Sequence, residues 1–408
     1  MYSSFYRYIY IIIGVFAFTT AQSQSKEILG YLPSYRFNKI NSIELNKLSQ
    51  MNISFANPTA DTGIIVEDED YDNIVDMAHD EDIIICISLA GGAVGNPQYQ
   101  RWIDYTTTEA LPVFVHHIMQ YCRMHNLDGV DFDLEWNLIE DVGTHYEPFV
   151  VMLADSLWAE DMVIMGTFPG TYRFSAVTDL CLETFDQINL MSYDLTGPWD
   201  PNNEGPHAPY SFAVQSINYW KAQGVTAEKL LLGVPFYGYD FAGSSVSAFT
   251  YANMVNINTD YAYLDQVDHK YYNGITTIQN KTILAKEEAN GIMIWELGQD
   301  HFSEYSLLNA IYNQMETDIE DLFPEEQKWV KAYPNPTAHQ LHLKNTYMSF
   351  AEYTIRDVTG KTCAIGHIEA NETAIIDLEQ FPNGLYVVRL IFTSSGEKQD
   401  IKILKIII

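Results

Sequence analysis

The sequence predicts an α/β fold, a (β/α)8 TIM barrel followed by a small all-β sandwich domain, and three observations lead to this prediction. Short apolar segments alternate with longer amphipathic segments from residue 26 to about residue 316. One apolar segment carries acidic side chains at every second position. Beyond residue 331 the pattern changes to short alternating strands separated by turn residues. We therefore expect one large α/β domain and one smaller β domain.

The first region contains eight segments that read as strands, most of them followed by a segment that can form a helix. Strand–helix alternation favours a parallel sheet, and eight units favour closure into a barrel. A doubly wound open sheet is the competing fold, but no glycine-rich phosphate loop follows the first strand. Helices are expected at 71–79, 111–124 and 211–223. The predicted strands are 27–31, 51–55, 83–89, 129–134, 162–167, 187–191, 230–235 and 291–295.

The fourth predicted strand carries an unusual acidic row. Asp131, Asp133 and Glu135 alternate with apolar residues, so a strand places all three on one face. Like charges this close are costly, and a buried row is reasonable if at least one carboxyl keeps its proton, as general acids do. The alternatives are a solvated edge strand and a metal site. In a barrel, Glu135 would lie at the C-terminal end of its strand, where barrels carry out chemistry.

Other predicted strand ends are rich in aromatic side chains. Tyr193 and Asp194 follow the sixth strand, and Trp199 lies in the loop after it. Tyr237 follows the seventh strand, and Trp295 ends the eighth. Each of these alone is more often a core residue, but several at one end of a barrel favour a groove for a ring-shaped ligand.

The composition restricts the class of ligand. Lys and Arg number 22 against 54 Asp and Glu, which gives a formal net charge of −32. Such a surface repels nucleic acid and anionic membranes, so a neutral small molecule or polymer is the better expectation. Four scattered cysteines form no metal-ligand spacing, and a disulfide framework is not expected. Cys86 lies in an apolar strand and is expected to pack in the core.

The chain is expected to consist of four parts. Residues 1–23 resemble a signal peptide, with an apolar run that is too short to span a bilayer comfortably and small residues after it. Residues 24–316 form the barrel, 317–331 a charged linker, and 332–408 the β-sandwich. No other stretch approaches transmembrane length. We expect an exported, secreted or cell-surface protein.

Four motifs together resemble glycoside hydrolase family 18, the chitinases and endo-β-N-acetylglucosaminidases. DGVDFDLE at 128–135 is similar to the family's D-G-x-D-x-D-x-E signature, and MSYD at 191–194 is similar to its sixth-strand M-x-Y-D. GVPFYG at 233–238 and GIMIWE at 291–296 resemble its seventh and eighth strands. The four lie in the family's order over about residues 26–316.

The resemblance implies a catalytic mechanism in which the substrate's own N-acetyl oxygen is the nucleophile. It implies that Glu135 acts as the acid and base, Asp133 orients the acetamido group, and Asp131 shares a proton with Asp133. Tyr193 would hold the acetamido carbonyl. We expect no cofactor, and metal binding is the weaker alternative because no His accompanies the acidic residues on neighbouring strand ends. The resemblance implies chitin or another N-acetylglucosamine-containing oligosaccharide as substrate. The implied substrate-binding residues are Tyr31, Met191, Asp194, Trp199, Tyr237 and Trp295.

The sequence departs from the family pattern at three places. The segment Ser88–Gly92 has one residue more than the family's S-x-G-G, which leaves open whether Ser88 supports Asp131. Trp136 stands where many chitinases have Tyr. The segment between Tyr237 and Gly291 leaves little room for an α+β insertion, which implies a shallower groove.

The C-terminal region resembles the sorting domain of the type IX secretion system of Bacteroidetes. YPNP at 333–336 is similar to its opening, and GLYVV at 384–388 and IKILK at 401–405 to its closing strands. The secretion machinery is therefore an expected partner, and a carbohydrate-binding module is the alternative. For the barrel, the N-glycan core remains open as a substrate, and an inactive sugar-binding lectin remains open as a function.

Overall fold

The computed structural model describes residues 26–66, 71–316, 329–335, 337–347, 349–357, 360–392 and 398–405. The predicted signal peptide and most of the predicted linker lie outside these residues. Within the described residues, no helix has both the length and the apolar character needed to cross a membrane.

The N-terminal region is a closed barrel of eight parallel strands, which confirms the predicted fold class. The strand β1 pairs with both β2 and β8, so the sheet has no open edge. The strands are β1 (Glu27–Pro33), β2 (Gln50–Pro58), β3 (Ile84–Gly91), β4 (Gly129–Leu134), β5 (Val163–Pro169), β6 (Gln187–Met191), β7 (Leu230–Pro235) and β8 (Gly291–Trp295).

All eight predicted strands form, and the main difference is at their C-terminal ends. β1, β2, β3 and β5 run two or three residues past the predicted ends to a proline or glycine, residues that sequence patterns treat as strand breakers. At a barrel rim the proline needs no further ladder partner. A two-residue strand, Ile64–Ile65, pairs antiparallel with β2 outside the barrel.

The strand β4 divides its side chains as its alternation predicts. Phe132 points outward and packs 4.8 Å, ring centroid to ring centroid, from Phe149 on a surrounding helix. Asp131 and Asp133 point into the barrel and are buried. The apolar face is thus anchored in the layer between strands and helices, and this anchoring holds the acidic face inward.

Helices surround the barrel and cover the outward faces of its strands. The helix at 111–124 has the predicted bounds, and the other two predicted helices form with their ends moved by one residue. The α-helices are Tyr71–Asp80, Gln98–Tyr105, Leu111–Met124, Trp136–Val142, Tyr146–Trp158, Asp179–Thr184, Tyr210–Ala222, Tyr251–Ile257, Ile275–Glu288 and Leu307–Glu316.

The expectation that the segment between Tyr237 and Gly291 leaves little room for an α+β insertion is wrong, because this segment contains a small α+β unit. Its strands form an antiparallel sheet beside the barrel rim, and the helix Tyr251–Ile257 completes it. The four strands are Tyr237–Asp240, Ser247–Thr250, Gln266–Val267 and Lys270–Tyr271. The short strands escape a pattern search because each has too few residues to show an alternation.

The C-terminal region contains two antiparallel sheets of three and four strands that share one apolar core, as expected for a small sandwich. Five of the seven strands match the segments that the sequence pattern predicts, namely 340–343, 352–356, 373–378, 384–392 and 399–404. The strands are Val330–Tyr333, Gln340–Asn345, Ala351–Asp357, Thr362–Ile368, Thr373–Asp377, Gly384–Phe392 and Lys398–Lys405. The strand Thr362–Ile368 was missed because few of its side chains are buried.

A buried ion pair joins the end of β8 to the segment after β1. Glu296 is fully buried and accepts a hydrogen bond from Arg36 Nε at 2.9 Å and from the amide of Gly298 at 2.8 Å. Burial raises the pKa of Glu296, and the Arg36 guanidinium opposes that rise. Removing Arg36 would leave a buried carboxyl without its cation.

We expect Arg36→Met to lower the free energy of unfolding by about 3 kcal/mol, the cost of breaking a buried pair from one side. Urea unfolding followed by tryptophan fluorescence measures this. Arg123→Met is the matched control, since the Arg123–Glu160 pair lies on the surface and should contribute little. Equal destabilisation by the two variants would contradict the prediction.

Candidate active site

The C-terminal rim of the barrel opens into a cavity of about 600 Å³. Most of the site residues predicted from the sequence line it, although they come from five different strands and their following loops. The predicted residues at this cavity are Tyr31, Asp133, Glu135, Met191, Tyr193, Asp194, Tyr237 and Trp295. Closure of the barrel therefore brings together residues that lie up to 264 positions apart, from 31 to 295.

Asp131 lies beneath this cavity in a dense set of hydrogen bonds. Its Oδ2 accepts from Tyr31 Oη and Ser88 Oγ, both at 2.7 Å, and its Oδ1 accepts from Thr167 Oγ1 at 2.8 Å and Asn189 Nδ2 at 3.4 Å. Burial raises the pKa of Asp131, and these donors oppose the rise. Donors from four other strands, β1, β3, β5 and β6, therefore hold this side chain in place.

Ser88 supports Asp131 despite the extra residue in the segment that follows it, because of the register of the two strands. Ser88 lies directly opposite Asp131 in the β3–β4 pairing, so its hydroxyl reaches the carboxylate. The added length is taken up at the strand end, where Ala90 and Gly91 have φ of +74° and +78°. A methyl group on Gly91 would meet the ring of Phe55 at 2.5 Å.

Asp133 is buried and incompletely partnered. Its Oδ1 has no hydrogen-bond partner among the described residues, and its side chain reaches the cavity. Burial, followed by the charges of Glu135 and Asp131, holds the pKa of Asp133 well above its usual range. A buried carboxyl oxygen without a partner is costly, and a ligand N–H in the cavity would satisfy it.

Glu135 stands at the end of the row, half-buried, where the strand gives way to the helix Trp136–Val142. Burial, and next the negative charge of Asp194, raise the pKa of Glu135 to about 7. A carboxyl with this pKa can both donate and accept a proton near neutrality. Gly92 lies close beside it, and a methyl group there would lie 2.7 Å from Glu135 Oε1 and displace the carboxyl group.

Tyr193 and Trp295 form the two walls nearest the acidic row. In the part of the chain that the structure describes, the Tyr193 hydroxyl has only the sulfur of Met293, 3.8 Å away, as a hydrogen-bond acceptor. Sulfur is a weak acceptor, so this hydroxyl is available to a ligand. The indole of Trp295 stacks on Phe55 at 5.6 Å between ring centroids and packs edge-on against Tyr31, also at 5.6 Å. These contacts fix it as a flat apolar surface.

Asp194 is held by donors that come from outside the barrel strands. Its Oδ1 accepts from Tyr237 Oη and from Tyr239 Oη at 3.1 Å, and His207 Nδ1 lies 3.4 Å away. The residue has a left-handed backbone, with φ of +63°, and so does Trp136, with φ of +49°. Such backbone in residues other than glycine is uncommon and concentrates at functional sites.

Four residues that contact the carboxylates of Asp131 and Asp194 were not predicted from the sequence: Thr167, Asn189, His207 and Tyr239. Thr167 and Asn189 had a signal that could have been found, because each is a polar residue at an inward position of an apolar barrel strand. His207 and Tyr239 had none. They reach Asp194 only because a loop and the inserted sheet fold over the rim.

Trp199 lies apart from the other predicted site residues, in a neighbouring cavity of about 590 Å³. Glu135, Met191, Tyr193 and Asp194 line both cavities, so the two form one groove that passes Glu135. Exposed aromatic side chains line this second part, namely Trp136, Tyr172 and Trp199.

The arrangement suits acid–base chemistry on a molecule lying across the barrel mouth. A titratable carboxyl stands midway along the groove, a partly unpartnered carboxyl lies beneath it, and aromatic surfaces lie on both sides. Among the described residues, no group of three or more His, Cys, Asp and Glu side chains is arranged to hold a metal ion.

Comparison with solved structures places this barrel among chitinase-like barrels. A GH18 chitinase from the chitin utilization locus of Flavobacterium johnsoniae is 40% identical, with a TM-score of 0.71 over 73% of this chain and 96% of that chain. A chitinase from Bacteroides thetaiotaomicron is 26% identical, with a TM-score of 0.61 over 72% and 97% of the two chains.

The chain belongs to glycosyl hydrolases family 18, whose profile matches residues 27–300. Among curated proteins, a chitinase-like effector of Moniliophthora roreri is 25% identical over 52% of this chain and 57% of its own length. An endochitinase of Brugia malayi is 25% identical over 51% and 53%. The chain thus spans about half the length of these curated relatives.

The C-terminal residues 331–408 match the secretion system C-terminal sorting domain. The match covers the two-sheet region and agrees with the resemblance seen in its short motifs. It indicates secretion or export to the cell surface.

Proposed function

We propose that this protein is a glycosidase that cleaves β-1,4 bonds next to N-acetylglucosamine, as in chitin, by substrate-assisted catalysis with retention of configuration. The single observation that carries the proposal is the row Asp131–Asp133–Glu135, in which a buried Asp133 oxygen has no hydrogen-bond partner among the described residues and burial raises the pKa of the neighbouring Glu135 to about 7. The row matches what the reaction needs: a group that binds an acetamido N–H next to a proton donor at the scissile bond.

In the first step the acetamido carbonyl oxygen of the bound sugar attacks its own anomeric carbon. The glycosidic C–O bond breaks, and Glu135 gives its proton to the departing oxygen. Asp133 accepts the acetamido N–H and stabilises the positive charge that develops on the oxazolinium ion. Tyr193 donates to the acetamido oxygen and holds it in line, while Trp295 supports the sugar ring.

In the second step Glu135, now a carboxylate, takes a proton from water. The oxygen of that water attacks the anomeric carbon, the oxazolinium ring opens, and the acetamido group returns to its original form. Two displacements at one carbon retain its configuration. Asp131, fixed by four donors, shares a proton with Asp133, because carboxyls this close cannot all ionise. Met191, Asp194, Tyr237 and Trp199 line the groove that holds the substrate.

The experiment that tests the proposal separates chitin from the two other candidates. The protein is incubated with chitohexaose and, separately, with a high-mannose glycoprotein, each with and without chelator. We expect shorter N-acetylglucosamine oligomers from chitohexaose, released with the β-anomer in excess, whether or not chelator is present. Cleavage of the glycoprotein alone would assign the N-glycan core instead. Binding of chitohexaose without cleavage would assign a lectin.

The pH dependence of the reaction follows from the raised pKa of Glu135. Glu135 must carry a proton to donate it, so kcat/KM should fall as pH rises through about 7, the pKa of Glu135. If Glu135 had the ordinary pKa of a glutamate, the decline in kcat/KM would lie about 2.5 pH units lower. Measuring kcat/KM on chitohexaose from pH 4 to 9 tests this, and a decline centred near pH 4.5 would contradict it.

Export would use both ends of the chain. We propose that residues 1–23 are removed as a signal peptide and that residues 332–408 address the barrel to the secretion machinery. The residues 24–316 would then be the catalytic domain, joined by the linker 317–331. The match of residues 331–408 to a sorting domain supports this division.

A further inference from the structure

His207 is buried in the loop between β6 and the helix Tyr210–Ala222, with both ring nitrogens facing acceptors. Its Nδ1 lies 3.4 Å from Asp194 Oδ1, and its Nε2 lies 3.2 Å from the main-chain oxygen of Tyr237. A carbonyl oxygen and an ionised carboxylate can each accept a hydrogen bond, but neither can donate one.

Each neutral form of the ring leaves one of these contacts without a proton. With the proton on Nδ1, the lone pair of Nε2 faces the carbonyl oxygen of Tyr237. With the proton on Nε2, the lone pair of Nδ1 faces Asp194. Only the ring that carries both protons satisfies both contacts, and burial makes an unsatisfied contact costly.

We propose that His207 is a positioning residue that carries two protons, joins Asp194 to the Tyr237 carbonyl, and thereby sets the negative charge that Glu135 faces. The inference rests on the proposed function for its effect on catalysis. The protonation state of His207 does not depend on activity and can be tested separately.

Among the described residues, Asp194 is the one acidic side chain in direct contact with His207. The rings of Tyr237 and Tyr239 pack against it at 4.9 and 5.1 Å between centroids, and burial raises the pKa of both phenols, which keeps them neutral. On the helix Ile275–Glu288, Lys281 donates a hydrogen bond to the carbonyl of Ala208, the residue that follows His207. Burial lowers the pKa of Lys281 to about 7.

The effect on Glu135 has a definite sign. The charge of Asp194 contributes to the raised pKa of Glu135. A positive His207 beside Asp194 offsets part of that charge, so it favours the ionised form of Glu135. Replacing His207 with a neutral residue therefore raises the pKa of Glu135, whereas neutralising Asp194 lowers it.

The first test reads the protonation state directly. In the full chain labelled with 15N-histidine, the His207 signals are assigned by their loss in His207→Asn. We expect both ring nitrogens to have the chemical shifts of a protonated imidazolium in the buffer used for the activity assay. A ring with one protonated and one unprotonated nitrogen in that buffer would overturn the proposal, whatever the enzyme's activity.

The second test uses the pH profile of kcat/KM on chitohexaose. His207→Asn should move the alkaline decline upward by about one pH unit, and Asp194→Asn should move it downward. Asn273→Ala is the matched control, because Asn273 also ties down this loop by donating to the carbonyl of Ala208 at 3.0 Å, but lacks charge. It should leave the position of the decline unchanged. A decline that stays in place in His207→Asn, or moves equally in Asn273→Ala, would reduce His207 to a structural role.

Discussion

Glu135→Gln is expected to lower kcat on chitohexaose by about 10³-fold or more while leaving binding of the oligosaccharide within a few-fold of the unchanged protein. The amide has the same shape as the carboxyl and keeps the contact with Gly92, but it cannot give or take a proton near neutrality. Initial rates with reducing-sugar detection measure the loss, and calorimetric titration measures binding.

Glu140→Gln is the control for this variant. Glu140 is exposed on the helix that follows Glu135, and its carboxylate accepts from Ser175 Oγ at 2.6 Å, away from the groove. The same substitution there should leave kcat unchanged. Full turnover by Glu135→Gln would exclude Glu135 as the proton donor, and loss of binding together with kcat would indicate a damaged groove instead.

Asp133→Asn is expected to have the second largest effect, a loss of about 10²- to 10³-fold in kcat with a small change in KM. The amide oxygen can still accept the acetamido N–H, so ground-state binding is retained. The amide carries no charge, however, and cannot stabilise the oxazolinium ion or share a proton with Asp131. The loss should therefore fall on the chemical step.

Steady-state kinetics on chitohexaose separate kcat from KM for this variant. Asp141→Asn serves as the control, since Asp141 is exposed and its carboxylate accepts from Tyr99 at 2.6 Å. A rise in KM without loss of kcat in Asp133→Asn would mean that Asp133 only binds the sugar. That outcome would contradict substrate-assisted catalysis as proposed.

The barrel strands were predictable because their sequences carry a local signal. Parallel barrel strands are apolar on the helix side, and β4, β6, β7 and β8 have the predicted bounds. The row Asp131, Asp133 and Glu135 was also readable, since alternation along one strand depends on neighbours in sequence alone.

The antiparallel sheet after β7 and the loop that carries His207 lack such a signal. Their strands and turns are short, and their positions depend on what they pack against. The sequence placed Tyr237 at the end of the seventh strand. In the structure Tyr237 begins a separate strand, and its hydroxyl reaches Asp194.

The sequence by itself thus determined the fold class, the acidic row and many of the residues that meet at the barrel mouth. The fold class and the row follow from periodicity, which is a property of each segment, whereas the other residues were implied by the resemblance of the four motifs to the family. Only the tertiary structure decided the electrostatics of the row. The four donors that fix Asp131, the burial that holds the pKa of Asp133 well above its usual range, and the placement of Asp194 near Glu135 with His207 against Asp194 arise from contacts between distant segments. The charge on a carboxyl depends on its surroundings, and folding creates those surroundings.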